Sequence, residues 1–100
     1  MNSPAPIERL RLPATCDAAA ADALKSELVA RLDARTPLVL DASDVAEPSV
    51  AVIQLIEAAS VAFAAHDLRF GFADPSDALC AAYEDIGLYS ALIQRLVMDA

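Results

Sequence analysis

The sequence predicts an α/β fold, a mainly parallel sheet of about three to five strands with three to four helices. Two observations carry this. Short apolar runs of β character alternate with longer segments whose apolar residues recur at the helical period. The connections between them are short, about three to seven residues, as parallel strands joined by right-handed helical crossovers require. One hundred residues make one small domain, with residues 1–6 expected as a disordered leader and residues 7–100 as the domain. A chain of this length buries only about 60–70% of its unfolded surface, so one core supplies most of the stability. Hydrophobic residues, many of them alanine, make up 57% of the chain and provide that core.

In chain order, "IERLRL" sets Ile7, Leu10 and Leu12 against Glu8, Arg9 and Arg11, an imperfect alternation that predicts a short strand ended by Pro13. Asp17, or Thr15, can cap the helix that follows. Ala21, Leu24, Leu28 and Leu32 share one face of that helix, Glu27 and Arg31 form an i, i+4 pair, and Pro37 predicts its end near Arg35. "PLVLDA" is apolar without alternation, which suits a strand covered on both faces.

After the polar elbow "SDVAEPS", a second helix is expected over about Val50 to His66, with Val52, Ile56, Ala59 and Phe63 as its buried stripe and Gln54 and Glu57 opposite. The nominally polar side also holds Ala58, Val61 and Ala65, so it is unusually apolar; a shared contact surface is one reading, and alanine as a helix former the other. "LRFGF" predicts a third strand with Leu68, Phe70 and Phe72 on one side. Ser76 caps a third helix, Asp77 occupies its first turn, Leu79, Tyr83 and Ile86 form its buried face, and Gly87 ends it. The tail "LYSALIQRLVMD" reads as a short final helix, with a strand over part of it as the alternative.

A net charge of −8, with seven scattered Lys and Arg residues, argues against binding nucleic acid or anionic lipid surfaces. No signal peptide or membrane span is read, which places the chain in the cytoplasm. Cys16 and Cys80 fit no metal or redox spacing and are expected as small buried apolar residues without a disulfide. Two glycines cannot build a phosphate-cradling loop, and no G-x-S-x-G elbow is present. His66, the single histidine, has no evident carboxylate or serine partner. Asp41, Asp44 and Glu47 do not follow the spacing of an EF-hand loop, and capping and solvation account for them. Neither an enzyme nor a cofactor or metal is expected.

Three segments in order, "LPATCDAAAADALKSEL", "LVLDASDVAEPSVAVIQLIEAA" and "LRFGFADPSDALCAAYEDIGL", resemble the STAS domain, the fold of sulfate-transporter tails and anti-sigma factor antagonists. Together they span about Leu10 to Leu88. The likeness is greatest to small stand-alone bacterial signalling proteins, including ones that accompany chemotaxis components. It implies a non-catalytic protein-interaction module whose partner is a signalling protein, such as a histidine-kinase-like ATPase or a chemotaxis component. A cytosolic accessory subunit of a lipid-transport ATPase complex is the alternative.

The resemblance places the partner-binding surface on Asp17, Asp41, Ser43, Asp44, Ser49 and Val50. Aligned without gaps from Asp41 through Gln54 to Ile56, the family's phosphoacceptor falls on Val50, which has no hydroxyl, and its preceding aspartate falls on Ser49. A one-residue slip would make Ser49 the phosphorylation site at the expense of the Ile53-Gln54 match; otherwise Ser49 is an N-cap.

Overall fold

The computed structural model describes residues 7–96. The expected leader, residues 1–6, and the last four residues of the tail lie outside them. The elements are β1 (Glu8–Arg11), α1 (Ala18–Asp33), β2 (Leu38–Asp41), α2 (Val50–Ala65), β3 (Phe70–Ala73), α3 (Asp77–Asp85) and α4 (Tyr89–Arg95). The sheet has the order β1-β2-β3 and both pairings are parallel. It is thus the expected α/β architecture, with three strands and four helices among the described residues.

Register decides which residues meet the helices. Leu10, Leu40 and Phe72 are aligned across the three strands, as are Glu8, Leu38 and Phe70, and aligned residues of parallel strands project to one face. That face builds the core: Leu38, Leu40 and Phe72 are fully buried against Leu24 and Leu28 of α1, Val52, Ile53, Ile56 and Phe63 of α2, Leu79 and Tyr83 of α3, and Leu92 of α4. Val39 points the other way. It is only 2% exposed but stands outside this cluster. β2 is therefore buried at Leu38, Val39 and Leu40, as its unalternating sequence predicts, while the helical layer packs on one face of the sheet.

Each of the three longer helices begins with a side-chain cap. The oxygens of Asp17, Ser49 and Ser76 accept hydrogen bonds from the backbone N–H groups of Ala20, Val52 and Leu79. Their ends share a motif as well. Arg35, Asp67 and Gly87 have φ of 54°, 55° and 79°. The next residue in each case donates its N–H back into the helix: Thr36 to the Arg31 carbonyl, Leu68 to Phe63 and Leu88 to Tyr83. This is the left-handed stop in which a 6→1 hydrogen bond closes the last turn. Gly87 was legible in the sequence; Arg35 and Asp67 take the same conformation at a steric cost glycine would not bear.

Two expected details change. Ile86 is 41% exposed, because it is the C-cap of α3 and its side chain leaves the face that Leu79 and Tyr83 bury. Glu57 does not lie on the solvent side of α2. Its carboxylate accepts from the Tyr83 hydroxyl at 3.1 Å and pairs with Arg95 at 2.9 Å, tying α2 to both α3 and α4. The tail is a helix through Arg95, and the strand alternative survives in one residue, Leu96, which bridges to Phe72 in parallel.

Two measurements probe this framework. Arg35→Gly and Asp67→Gly should each raise the unfolding free energy by about 0.5–1 kcal/mol in urea titrations, and Gly87→Ala should lower it by about 1 kcal/mol. A methyl at Gly87 meets no atom within 4 Å, so that loss would be one of backbone conformation alone. Tyr83 is completely buried and edge-on to Phe72, with ring centroids 5.9 Å apart. Burial, and then the Glu57 carboxylate beside it, push its phenol far above the ordinary value of 10.0. The unfolded chain therefore loses this proton above pH 10 while the folded chain keeps it. Stability should fall as pH rises beyond 10, by up to about 1.4 kcal/mol per pH unit from this group. The stability gap between wild type and Tyr83→Phe should narrow over the same range.

Candidate functional site

In a parallel sheet the carboxyl ends of the strands are where loops converge and ligands or partners are met. Here that end gathers the turn after β1, the elbow after β2 and the turn after β3, together with the capped N-termini of α1, α2 and α3. The elbow, residues 42–49, is the longest of these connections, and it is stitched to both neighbours.

On the β1 side, the N–H groups of Ala46 and Glu47 both donate to the Ala14 carbonyl, at 2.9 and 2.8 Å, and Cys16 N–H donates to the Glu47 carbonyl at 2.9 Å. The Thr15 hydroxyl adds a bond to the Glu47 carboxylate at 3.1 Å. On the β3 side, Ala42 N–H donates to the Ala73 carbonyl and Ser76 N–H donates to the Ala42 carbonyl. The Ser76 hydroxyl donates to the Val45 carbonyl at 2.6 Å while accepting the α3 cap bond from Leu79. Val45 is buried between these anchors.

Asp41 starts the elbow by turning the chain. Its Oδ1 accepts from both the N–H and the hydroxyl of Ser43, at 3.0 and 2.7 Å, an Asx-type turn. Its Oδ2 lies 3.5 Å from the Arg11 guanidinium, whose other terminal nitrogen lies 3.5 Å from the carboxylate of Asp44. The Ser43 hydroxyl bond, then the Ser43 N–H, with Arg11 adding to them, hold the Asp41 carboxyl below its ordinary value. Asp41 thus remains an anion and acceptor throughout the neutral range.

Of the six residues expected at the partner-binding surface, Asp41, Ser43 and Asp44 are drawn into one group around Arg11. Ser49 and Val50 stand at the far end of the elbow, where α2 begins. Asp17 caps α1 on the adjacent turn, next to the Cys16–Glu47 backbone bond. Ser49 is half-buried and its Oγ accepts from Val52 N–H at 3.2 Å. Val50 is the first residue of α2 and is 53% exposed.

Arg11 is a structural member of this end that reading each strand separately missed; Thr15, Glu47 and Ser76 were read as caps or a solvated acid, without the bonds by which they tie the three turns together. Arg11 reads as one more polar residue of an alternating strand until parallel register sets it beside Asp41. His66 is at the opposite end of α2, as its exposed C-cap. Cys16, buried beneath the β1 turn, is a free thiol raised above its ordinary value by burial and then by Asp17; Cys80 is also free and half-buried. Among the described residues, no group of three or more His, Cys, Asp or Glu side chains converges as a metal site requires, and no helix is long and apolar enough to cross a membrane.

The geometry separates a capping role for Ser49 from a role as an exposed reactive hydroxyl. Ser49→Ala should lower the unfolding free energy by about 1 kcal/mol, and Ser49→Asp, which can also cap, should restore most of it. A Ser49→Ala variant as stable as wild type in urea titration would refute the cap.

Comparison of the chain with family models, with curated proteins and with solved structures finds no match.

Proposed function

We propose that this chain is a non-catalytic protein-interaction module of bacterial signal transduction, of the STAS-like kind its sequence resembles, working in the cytoplasm. Its docking surface is the carboxyl end of the sheet, centred on Val50 with Ser49, Ser43, Asp44, Asp41 and Asp17 around it. The observation that carries this reading is the exposed valine at the first position of α2. The resembled family keeps its phosphoacceptor hydroxyl at that place. A side chain 53% exposed there is available to a partner, and an aliphatic one cannot receive a phosphate.

The physical consequence is a surface whose charge is fixed. Phosphorylation would add about 1.5 to 2 negative charges at the mouth of α2, next to the exposed Asp44 and Glu47. With valine the same point stays neutral and apolar inside an acidic surround. It suits a partner that offers a small apolar contact with basic groups at its margin, such as a histidine-kinase-like ATPase or a chemotaxis component. Binding is then constitutive, governed by the abundance of the two proteins or by the state of the partner.

The test places a photo-crosslinking amino acid at Val50 in the native cell and identifies what it captures. A histidine-kinase-like ATPase or chemotaxis protein supports the reading; an ATPase that travels with a membrane permease supports the lipid-transport alternative and overturns the first. With the captured partner in hand, Val50→Asp should fold normally, since an acidic residue is favoured in a first helical turn, and should weaken the complex by about tenfold or more, on the order of 1.4 kcal/mol. Unchanged affinity would exclude Val50 from the interface. A stoichiometric gain of one phosphate on incubation with the partner kinase and ATP would refute a fixed-charge surface.

A further inference from the structure

A second surface lies on the outside of the helical layer, apart from the elbow. α2 has sixteen residues and a single charged one, Glu57, which is spent inward on Tyr83 and Arg95. Its outward positions are Gln54, Ala58, Val61, Ala64 and Ala65, all exposed and all uncharged, with Val61 70% exposed. A helix with apolar residues on its outer as well as its inner face has the character of an element covered on both sides. Between α2 and α1 runs a groove of about 170 Å³ with an almost wholly apolar lining, which includes Leu28, Val29 and Leu32 from one helix and Leu55, Ala58 and Ala62 from the other. Val29 is half exposed at its rim.

The exposed charges along the Val29 stripe of α1 are Asp22, two turns before Val29, and the nearer pair Lys25 and Asp33. Lys25, the chain's single lysine, stands four residues before Val29, and Asp33 stands four residues after it. At that spacing all three fall along one stripe of the helix, and both charged residues are exposed. We propose that this face joins two copies of the chain in an isologous dimer. The two-fold axis lies in the interface and crosses both helices at the level of Val29.

About such an axis α1 meets its symmetry mate antiparallel, Val29 against Val29, and α2 does the same through Ala58, Val61 and Ala62. Lys25 of each copy then faces Asp33 of the other, so one rule satisfies both ends of the interface, as two-fold symmetry demands. Two chains of net charge −8 repel, and a charge-free face bordered by reciprocal opposite charges is a surface on which they can meet. The elbows lie beyond the groove, at opposite ends of the pair, so a dimer presents two docking sites and binds a paired partner with the gain of linked contacts.

The full-length protein should sediment at twice its 10.5 kDa chain mass. Lys25→Asp and Asp33→Lys should each raise the dimer dissociation constant by about tenfold or more, since each replaces two attractive pairs with two repulsive ones. Mixed in equal amounts, the two variants should recover a dimer at least as tight as wild type, because every facing pair in the mixed species is opposite in charge. Circular dichroism should show both variants folded, as both positions are exposed. A wild-type chain that stays monomeric at about millimolar concentration would overturn the proposal and assign the face to a different protein. A dimer indifferent to both charge reversals, or a mixture that fails to associate, would overturn this geometry.

Discussion

The structure depends on the double pairing of β2. Its four residues are hydrogen-bonded in parallel to β1 on one side and β3 on the other. Leu38 and Leu40 are fully buried, as are Ala42 and Val45 just beyond the strand. A strand held on both sides has no lateral freedom, so the point at which it ends is fixed to the same accuracy as the core. The chain continues the pairing past the strand itself: Leu12 N–H donates to the Asp41 carbonyl, and Ala42 exchanges bonds with Ala73 and Ser76. The elbow beyond β2 is irregular in shape without being loose. Position in the sheet, more than any property of the elbow's own sequence, brings Asp41, Asp44 and Arg11 together and delivers Val50 to the surface.

That anchoring has an electrostatic side. The elbow brings three acids, Asp41, Asp44 and Glu47, to one end of a chain that is already acidic. Arg11 lies between the first two and the Thr15 hydroxyl donates to the third. Exposed ion pairs of this kind contribute little to stability, and their geometry at 3.5 Å is not tight. They neutralise like-charge repulsion locally while the backbone bonds to Ala14 and Ala73 hold the shape. The neighbouring helix N-termini, capped by Asp17, Ser49 and Ser76, add positive partial charge to the same end, so the surface is less hostile to an anionic group than the sequence charge alone suggests.

Much of this was legible in the sequence, and the failures have a common cause. The strands, the helices, the caps Asp17, Ser49 and Ser76 and the stop at Gly87 each follow from a local rule, a period or a short-range hydrogen bond, and each was found. Arg35 and Asp67 escaped because the left-handed stop ordinarily announces itself with glycine, and here tertiary packing imposes it on residues that carry a Cβ. Ile86 was placed in the core by its period, one position past the point where the helix stopped obeying that period. Glu57 and Arg11 escaped for a different reason, since their partners are 26 to 38 and 30 residues away. One signal for Glu57 was present: a lone charge in a sixteen-residue helix is conspicuous.

The isolation of Glu57 also accounts for the unusual outside of α2. A two-layer domain of this size normally keeps charge on the outer face of its helices, where it favours solvation and discourages association. Here the single carboxylate of α2 is drawn inward to hold the two short helices that close the fold; Tyr83 sits edge-on to Phe72 with its hydroxyl on Glu57, and α4 contributes Arg95 to the same carboxylate. Moving that charge inside leaves nothing on α2 to mark its outer surface as solvent-facing. The same substitution of alanine and valine for charge would be a solubility defect on a protein with a net charge near zero. On a chain carrying −8 it leaves a neutral area where two copies repel less. The elbow and the outer face of α2 therefore differ in kind. The first is polar, tightly hydrogen-bonded and shaped by the central strand; the second is apolar and shaped by what α2 must supply to its own interior.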